Sequence, residues 1–258
     1  MAFGRVGRSV CVALAIALTP AAGHAQNLWG RLLHGPAATT AAPCALDNCP
    51  ATPAPTEAAT PPLLSAMPPG NFDFYLLTLS WSPGFCDSGG AARSPGQCAI
   101  GSGLAFVVHG LWPQFERGYP SDCNPNAPQP SSIALAQTRG IFPNEGLARY
   151  EWRKHGTCTG LSPQAYFADV KRAREEVFIP DALQAPREQL SMAPMELARA
   201  FVAANPGLRI DNMAVGCLRG ELQDIKICLS RDLRAFANCD EVARTTCRAQ
   251  TVTIAPVH

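Results

Sequence analysis

The stretch FDFYLLTLSW, residues 72–81, is dense in aromatic and aliphatic strand formers and ends at Ser82-Pro83-Gly84, a turn signal. It reads as the first strand of a folded domain, and the rest of the domain is read outward from it. Leu104–Val108 reads as a second, buried strand leading into His109-Gly110. Pro143–His155 has a helical pattern with Asn144 as its cap. Ser162-Pro163 supplies a cap and a first-turn proline for a helix running to about Val177. Pro194–Ala204 is a third helix, stopped by Asn205-Pro206-Gly207. Met213–Leu218, Leu222–Leu229 and Thr251–Val257 read as further strands. Strands and helices interleave irregularly, with no repeated strand-helix unit and no glycine-rich phosphate loop. The expected fold class is α+β, a mainly antiparallel sheet packed with helices.

Upstream of Asn71 the composition changes. Residues 36–69 are rich in Pro, Ala and Thr, contain no aromatic residue, Lys or Arg, and carry charge only at Asp47 and Glu57. Such a segment buries too little apolar surface to offset its ordering entropy and reads as a flexible linker. Cys44 and Cys49 lie within it, placed to close a small local loop or to pair with another chain. Further upstream, Arg5 and Arg8 precede an apolar run from Val10 to Leu18, and Gly23-His24-Ala25 offers the small residues of a cleavage site. That is the pattern of a secretory signal with a mature start at Gln26. The run is too short for a bilayer anchor, which needs about 20 apolar residues. The expected organisation is a signal over 1–25, a flexible segment over 26–70 and a folded domain over 71–258.

Cysteine usage agrees with export. The 258 residues include 11 Cys, none in a C-x-x-C pair. Loss of the signal removes Cys11 and leaves an even number, as a disulfide framework in an oxidising compartment requires. Hydrophobic residues make up 47% of the chain, enough for a sizeable core, and the formal net charge is +1. Three of the basic and two of the acidic residues precede Asn71, so the domain itself is neutral. This excludes a protein whose whole surface seeks polyanions; any anion site is local.

Candidate chemistry centres on histidine. Of five His, His24 lies in the signal, His34 precedes the linker and His258 is terminal, leaving His109 and His155. In Tyr150-Glu151-Trp152-Arg153-Lys154-His155-Gly156-Thr157-Cys158, helical spacing puts Glu151, Lys154 and His155 on one face. A carboxylate, an ammonium and an imidazole together form a proton-transfer and anion-stabilising set. Taken alone, the segment reads first as a solvated face with an ordinary ion pair, which Arg149 and Arg153 suit. In Phe106-Val107-Val108-His109-Gly110-Leu111-Trp112-Pro113, a His leaves the end of an apolar strand at a Gly, with Trp112 as core packing or as a platform beside a site.

Together the two segments resemble the two active-site signatures of the ribonuclease T2 family, secreted acid ribonucleases that include the plant self-incompatibility ribonucleases. The first signature stands as His109-Gly110-Leu111-Trp112-Pro113 and the second as Glu151–Cys158. Leu79-Ser80-Trp81-Ser82-Pro83-Gly84-Phe85-Cys86 is similar to the family's first strand and following loop, and the likeness covers nearly everything after Asn71.

The resemblance implies metal-independent cleavage of single-stranded RNA, with no cofactor, little base preference and RNA as the partner of a monomer that is secreted or periplasmic. A 2′-hydroxyl attacks phosphorus, the 5′-oxygen leaves, and a 2′,3′-cyclic phosphate forms before hydrolysis to a 3′-phosphate. By the family's usual assignment His155 is the base and His109 the acid. Glu151 and Lys154 match the positions that polarise phosphate, and Trp112 lines the site. Many members carry a third His where this chain has Tyr150, which offers phosphate a hydrogen bond but no positive charge. Gln114, Phe115 and Tyr119 are candidates for base contact. The family pattern also implies disulfides Cys86–Cys98, Cys123–Cys158, Cys217–Cys247 and Cys228–Cys239. Three rival readings make different predictions: a catalytically dead binding module on this scaffold, a metal-dependent phosphodiesterase, and a structural cysteine-rich domain without turnover.

Overall fold

The computed structural model describes residues 68–257. The expected signal, and nearly all of the 26–70 segment including Cys44 and Cys49, lie outside the described residues.

The first strand, β1 (Phe74–Trp81), pairs antiparallel with β2 (Phe106–Gln114) on one side and with β5 (Glu221–Ser230) on the other. β4 (Met213–Leu218) also pairs antiparallel with β5. β6 (Val252–Ile254) meets β5 at the single parallel pair Glu221–Thr253 and carries β3 (Leu190–Met192) antiparallel on its far side. The sheet is thus mainly antiparallel, and with its helices the fold is α+β as expected.

Strand alternation divides β1 between two environments. Tyr75, Leu77, Leu79 and Trp81 enter the main core, which also takes Trp152, Tyr166, Phe167 and Phe201. Phe74 and Leu76 face the other way, into a small cluster with Ala214, Cys228, Cys239 and Val242. Thr78 and Ser80, at alternate positions, continue that second face.

The helices that matter for the site are α3 (Glu145–Lys154) and α4 (Pro163–Glu175). Both begin where their caps predict. The Asn144 side chain accepts from Leu147 N at 2.9 Å, and the Ser162 hydroxyl from Ala165 N at 3.2 Å. Asn144 Nδ2 also donates to Ser94 Oγ at 3.0 Å, tying the start of α3 to the Cys86–Cys98 loop. The other α-helices among the described residues are α1 (Ser82–Asp87), α2 (Ser132–Ala136), α5 (Pro194–Ala204) and α6 (Asp240–Ala243).

Three sequence readings need correction. Ser82-Pro83-Gly84 does not simply turn; it opens α1, with proline in the first turn where its missing N–H costs nothing. The strand expected to close at Val108 runs on through His109 to Gln114. The strand expected over Thr251–Val257 is only the three residues of β6.

Four disulfides staple the domain: Cys86–Cys98, Cys123–Cys158, Cys217–Cys247 and Cys228–Cys239. These are the pairs implied by the family resemblance. Cys123–Cys158 closes a separation of 35 residues, for which a chain-entropy argument gives about 4 kcal/mol. Among the described residues no helix is long and apolar enough to cross a membrane.

Candidate active site

β2 carries the first half of the site because its register slips. Thr78 faces Gly110 while Leu79 faces Val108, so His109 is an extra residue without a partner on β1. This β-bulge lets Val108 and Leu111, three apart, both reach the core fully buried. His109 is left on the opposite, cleft side of the sheet, followed there by Trp112. Two contacts hold the bulge: Val108 N donates to Ile141 O at 3.0 Å, and Tyr166 Oη donates to Leu111 O at 3.0 Å.

α3 carries the second half. Ala148, Glu151, Trp152 and His155 are all buried, a stripe at helical spacing that faces inward. Glu151 is 1% exposed, so it does not belong to a solvated ion pair; that description fits Arg149 and Glu145 instead, at 4.0 Å on the outer face. His155 caps the end of α3 and donates its backbone N–H to Glu151 O at 2.9 Å. The end is pinned further by Asp122 N donating to Lys154 O at 2.7 Å, and by the Cys123–Cys158 disulfide three residues beyond His155.

Glu151 joins the two halves. Its Oε2 accepts from Trp112 Nε1 at 2.6 Å, while Oε1 lies 3.6 Å from His109 Nε2. Gly110 makes this possible, because a Cβ there would run into both Trp112 Nε1 and Glu151 Oε2. Trp112 is flanked by both imidazoles, stacked on His155 at 5.0 Å between centroids and edge-on to His109 at 5.4 Å.

These residues line a cavity of about 300 Å³: His109, Trp112, Glu151, Lys154 and His155, with Leu76, Gln114, Tyr119 and Tyr150. Tyr119 is half exposed, with its ring 6.2 Å from His155. Gln114 is buried, its amide donating to the Pro113 carbonyl at 3.0 Å. Tyr150 is exposed at the rim, and Lys154 Nζ sits 5.8 Å from the centre of its ring. Phe115 is not brought to the cavity; it packs against the main core. A second cavity of about 720 Å³ lies on the other side of His109 and shares His109 and Tyr150 with the first. It is also lined by Ser80 and Asp224, which sequence reading had not singled out.

Burial sets the protonation of the site. It pushes His155 down to about 3, helped by the Lys154 charge, and leaves its Nδ1 buried with no hydrogen-bond partner. Burial also lowers His109. Glu151 is pushed up to about 7 by burial, against the Trp112 hydrogen bond and the Lys154 charge. Lys154, at the solvent edge, is raised by its interaction with the Tyr150 hydroxyl and stays charged. Among the described residues no three His, Cys, Asp or Glu side chains are grouped to hold a metal ion.

Fold and site define a class: a disulfide-bonded α+β protein whose sheet and one helix bring two imidazoles, a buried carboxyl and an ammonium into a single cleft. The chain belongs to the ribonuclease T2 family, whose model matches residues 72–239. It is 44% identical over 111 residues to a ribonuclease of Aeromonas hydrophila, covering 42% of this chain and 48% of that one. To a probable ribonuclease of Haemophilus influenzae it is 39% identical over 179 residues, covering 65% and 61%. The chain therefore spans between about half and three-fifths of the length of these relatives. Among solved structures it is similar to trichomaglin, described as a novel S-like ribonuclease, with a TM-score of 0.56 at 21% identity, covering 73% of this chain and 100% of that one. At that identity the likeness is one of fold.

Proposed function

We propose that the protein is a metal-independent endoribonuclease that cleaves single-stranded RNA through a 2′,3′-cyclic phosphate to 3′-phosphate ends, with little base preference. The observation that carries this reading is the pair of differently mounted imidazoles meeting across Trp112 and Glu151 in one cleft.

The chemistry follows from the environments. Attack of the ribose 2′-hydroxyl needs a base, and departure of the 5′-oxygen needs an acid. His155, held neutral down to about pH 3, is free to accept the 2′-proton throughout the acid and neutral range. His109, two-fifths exposed at the cleft wall, serves as the proton donor to the leaving oxygen. Lys154 supplies the fixed positive charge for the non-bridging oxygens as negative charge builds on phosphorus. Glu151, protonated below about pH 7, offers an O–H to the same oxygens without repelling them. Because His109 must carry a proton and its value is lowered, cleavage is favoured on the acid side of neutrality. DNA lacks the 2′-hydroxyl and is not cut by this route. Trp112, Tyr119 and Gln114 offer base or ribose contacts, and Tyr150 contributes a hydrogen bond in place of a third histidine.

The domain over 71–258 acts as a monomer, reaching the periplasm or the exterior through the signal over 1–25. The export pattern and the disulfides support that location. The test uses oxidised protein from Gln26 onward, on total RNA and single-stranded DNA, with EDTA, beside His155→Phe. RNA cleavage giving cyclic ends, untouched DNA, and loss of about a thousandfold or more in the variant are expected. A folded wild type that leaves RNA intact would instead identify a binding module, and EDTA-sensitive cleavage a metal enzyme.

A further inference from the structure

His109 is approached from behind as well as from the cleft. Its Nε2 faces Glu151, but its Nδ1 lies 3.4 Å from Ser80 Oγ on β1. Ser80 stands opposite Asp224 in the β1–β5 register, and Thr78 stands opposite Lys226. Side chains opposite one another in an antiparallel pair share a face, so β1 and β5 present two hydroxyls, a carboxylate and an ammonium beside the bulged histidine. Lys226 Nζ sits 3.2 Å from Asp224 Oδ1, an ion pair without hydrogen-bond alignment. Asp224 and Ser80 both reach the 720 Å³ cavity that His109 borders.

We propose that Ser80 is a positioning residue for His109, and that the Asp224–Lys226 pair of β5 sets the charge state of that imidazole. Ser80 accepts from Nδ1–H, which holds the ring in one orientation and leaves Nε2 to carry or release the proton in the cleft. Without that acceptor the ring of a bulged, partly exposed histidine is free to turn. Asp224 favours the imidazolium, while Lys226 and burial disfavour it. The other charged or titratable groups around the ring are Tyr150, Glu151 and Lys154 of α3, His155 at its end, Tyr119 across the cleft, and Arg93, which lines the same cavity as Asp224. A carboxylate and an ammonium two residues apart on one strand thus act on one histidine with opposite signs.

The inference rests on the ribonuclease reading only for its kinetic consequences, so the experiment follows the His109 ring itself. The His109 resonance is titrated by NMR in wild type, Asp224→Asn and Lys226→Gln, alongside kcat/KM on RNA against pH. Asp224→Asn is expected to lower the midpoint and Lys226→Gln to raise it, each by about half a pH unit, and the alkaline limb of the rate profile moves with them. Ser80→Ala is expected to lower kcat roughly tenfold at unchanged KM and unchanged melting temperature, with Ser80→Thr recovering most of the loss. Midpoints that stay fixed, or move in the same direction in both β5 variants, overturn the role of the pair. A Ser80→Ala loss that only tracks the folded fraction, or that Thr does not recover, overturns the positioning role. If the midpoints move as expected but wild type cleaves no RNA, the proposed function falls and the account of His109 stands.

Discussion

His109 and His155 are the same residue in two mountings. His109 rides a bulge in the sheet, two-fifths exposed, with oxygens of other side chains facing both of its ring nitrogens. His155 closes a helix, nearly wholly buried, with Nδ1 facing no partner and a disulfide three residues beyond it. Burial, helped by the like charges of Lys154 and His109, drives His155 far enough down that it stays neutral in acid. On His109 two nearby charges of opposite sign act on top of burial. An imidazole in water titrates near 6.5 and does acid or base work indifferently. In the proposed mechanism the division of labour comes from what each ring is mounted on, and Glu151 and Trp112 reach both mountings.

The sharpest way to break the comparison is at Gly110. Gly110→Ala pushes a methyl into the Trp112–Glu151 hydrogen bond; a displacement of about 1 Å in such a site costs about a hundredfold in kcat/KM. The buried His155 should keep its depressed titration midpoint in that variant. A loss below threefold would show that the hydrogen bond does not organise the cleft.

A smaller effect is expected from the other side. Removing Cys123–Cys158 with paired alanines releases the tether beyond His155. Stability should fall by up to about 4 kcal/mol and activity by roughly tenfold, while the His109 midpoint stays put. Full activity with an unchanged melting temperature would refute the link between the disulfide and the helix end.

The smallest effect concerns Glu151 itself. Its carboxyl is raised from the ordinary 4.5 to about 7 in the folded protein, so the folded state binds the proton more tightly than the unfolded chain. Its contribution is complete below the unfolded value and is lost as pH rises through about 7. Glu151→Gln carries no such proton, so its stability relative to wild type should improve between pH 5 and 8, by on the order of 2 kcal/mol. Equal differences in melting temperature at the two pH values would mean that Glu151 is not buried as a neutral acid.

Legibility followed locality. Asn144, Ser162 and Pro194 mark their helices because a cap acts within three or four residues, and α3, α4 and α5 begin where these predict. Glu151, Lys154 and His155 come together because one helix end carries them all. The bulge at His109 is a property of two strands in register, and its only sequence trace is the three-residue step between Val108 and Leu111 where alternation demands two. Ser80 and Asp224 lie far apart in the chain and meet only through the β1–β5 ladder, so no local pattern announces them. Phe115 was a candidate for base contact beside Gln114 and Tyr119, but core packing claims it one residue after the strand ends. The three-residue strands β3 and β6 are too short to carry a period.

The pairing of β1 with β5 has a consequence in time. The first strand of the domain takes its second neighbour from near the end of the chain, and contacts so remote in sequence form slowly. While the chain emerges, β1 and β2 can zip together, but the wall that carries Asp224 and Lys226 is missing until β5 arrives. A nascent or truncated chain ending before Glu221 therefore holds both histidines but lacks the strand that places Asp224 and Lys226 beside His109. The surroundings of His109 are complete only once that strand has paired with β1.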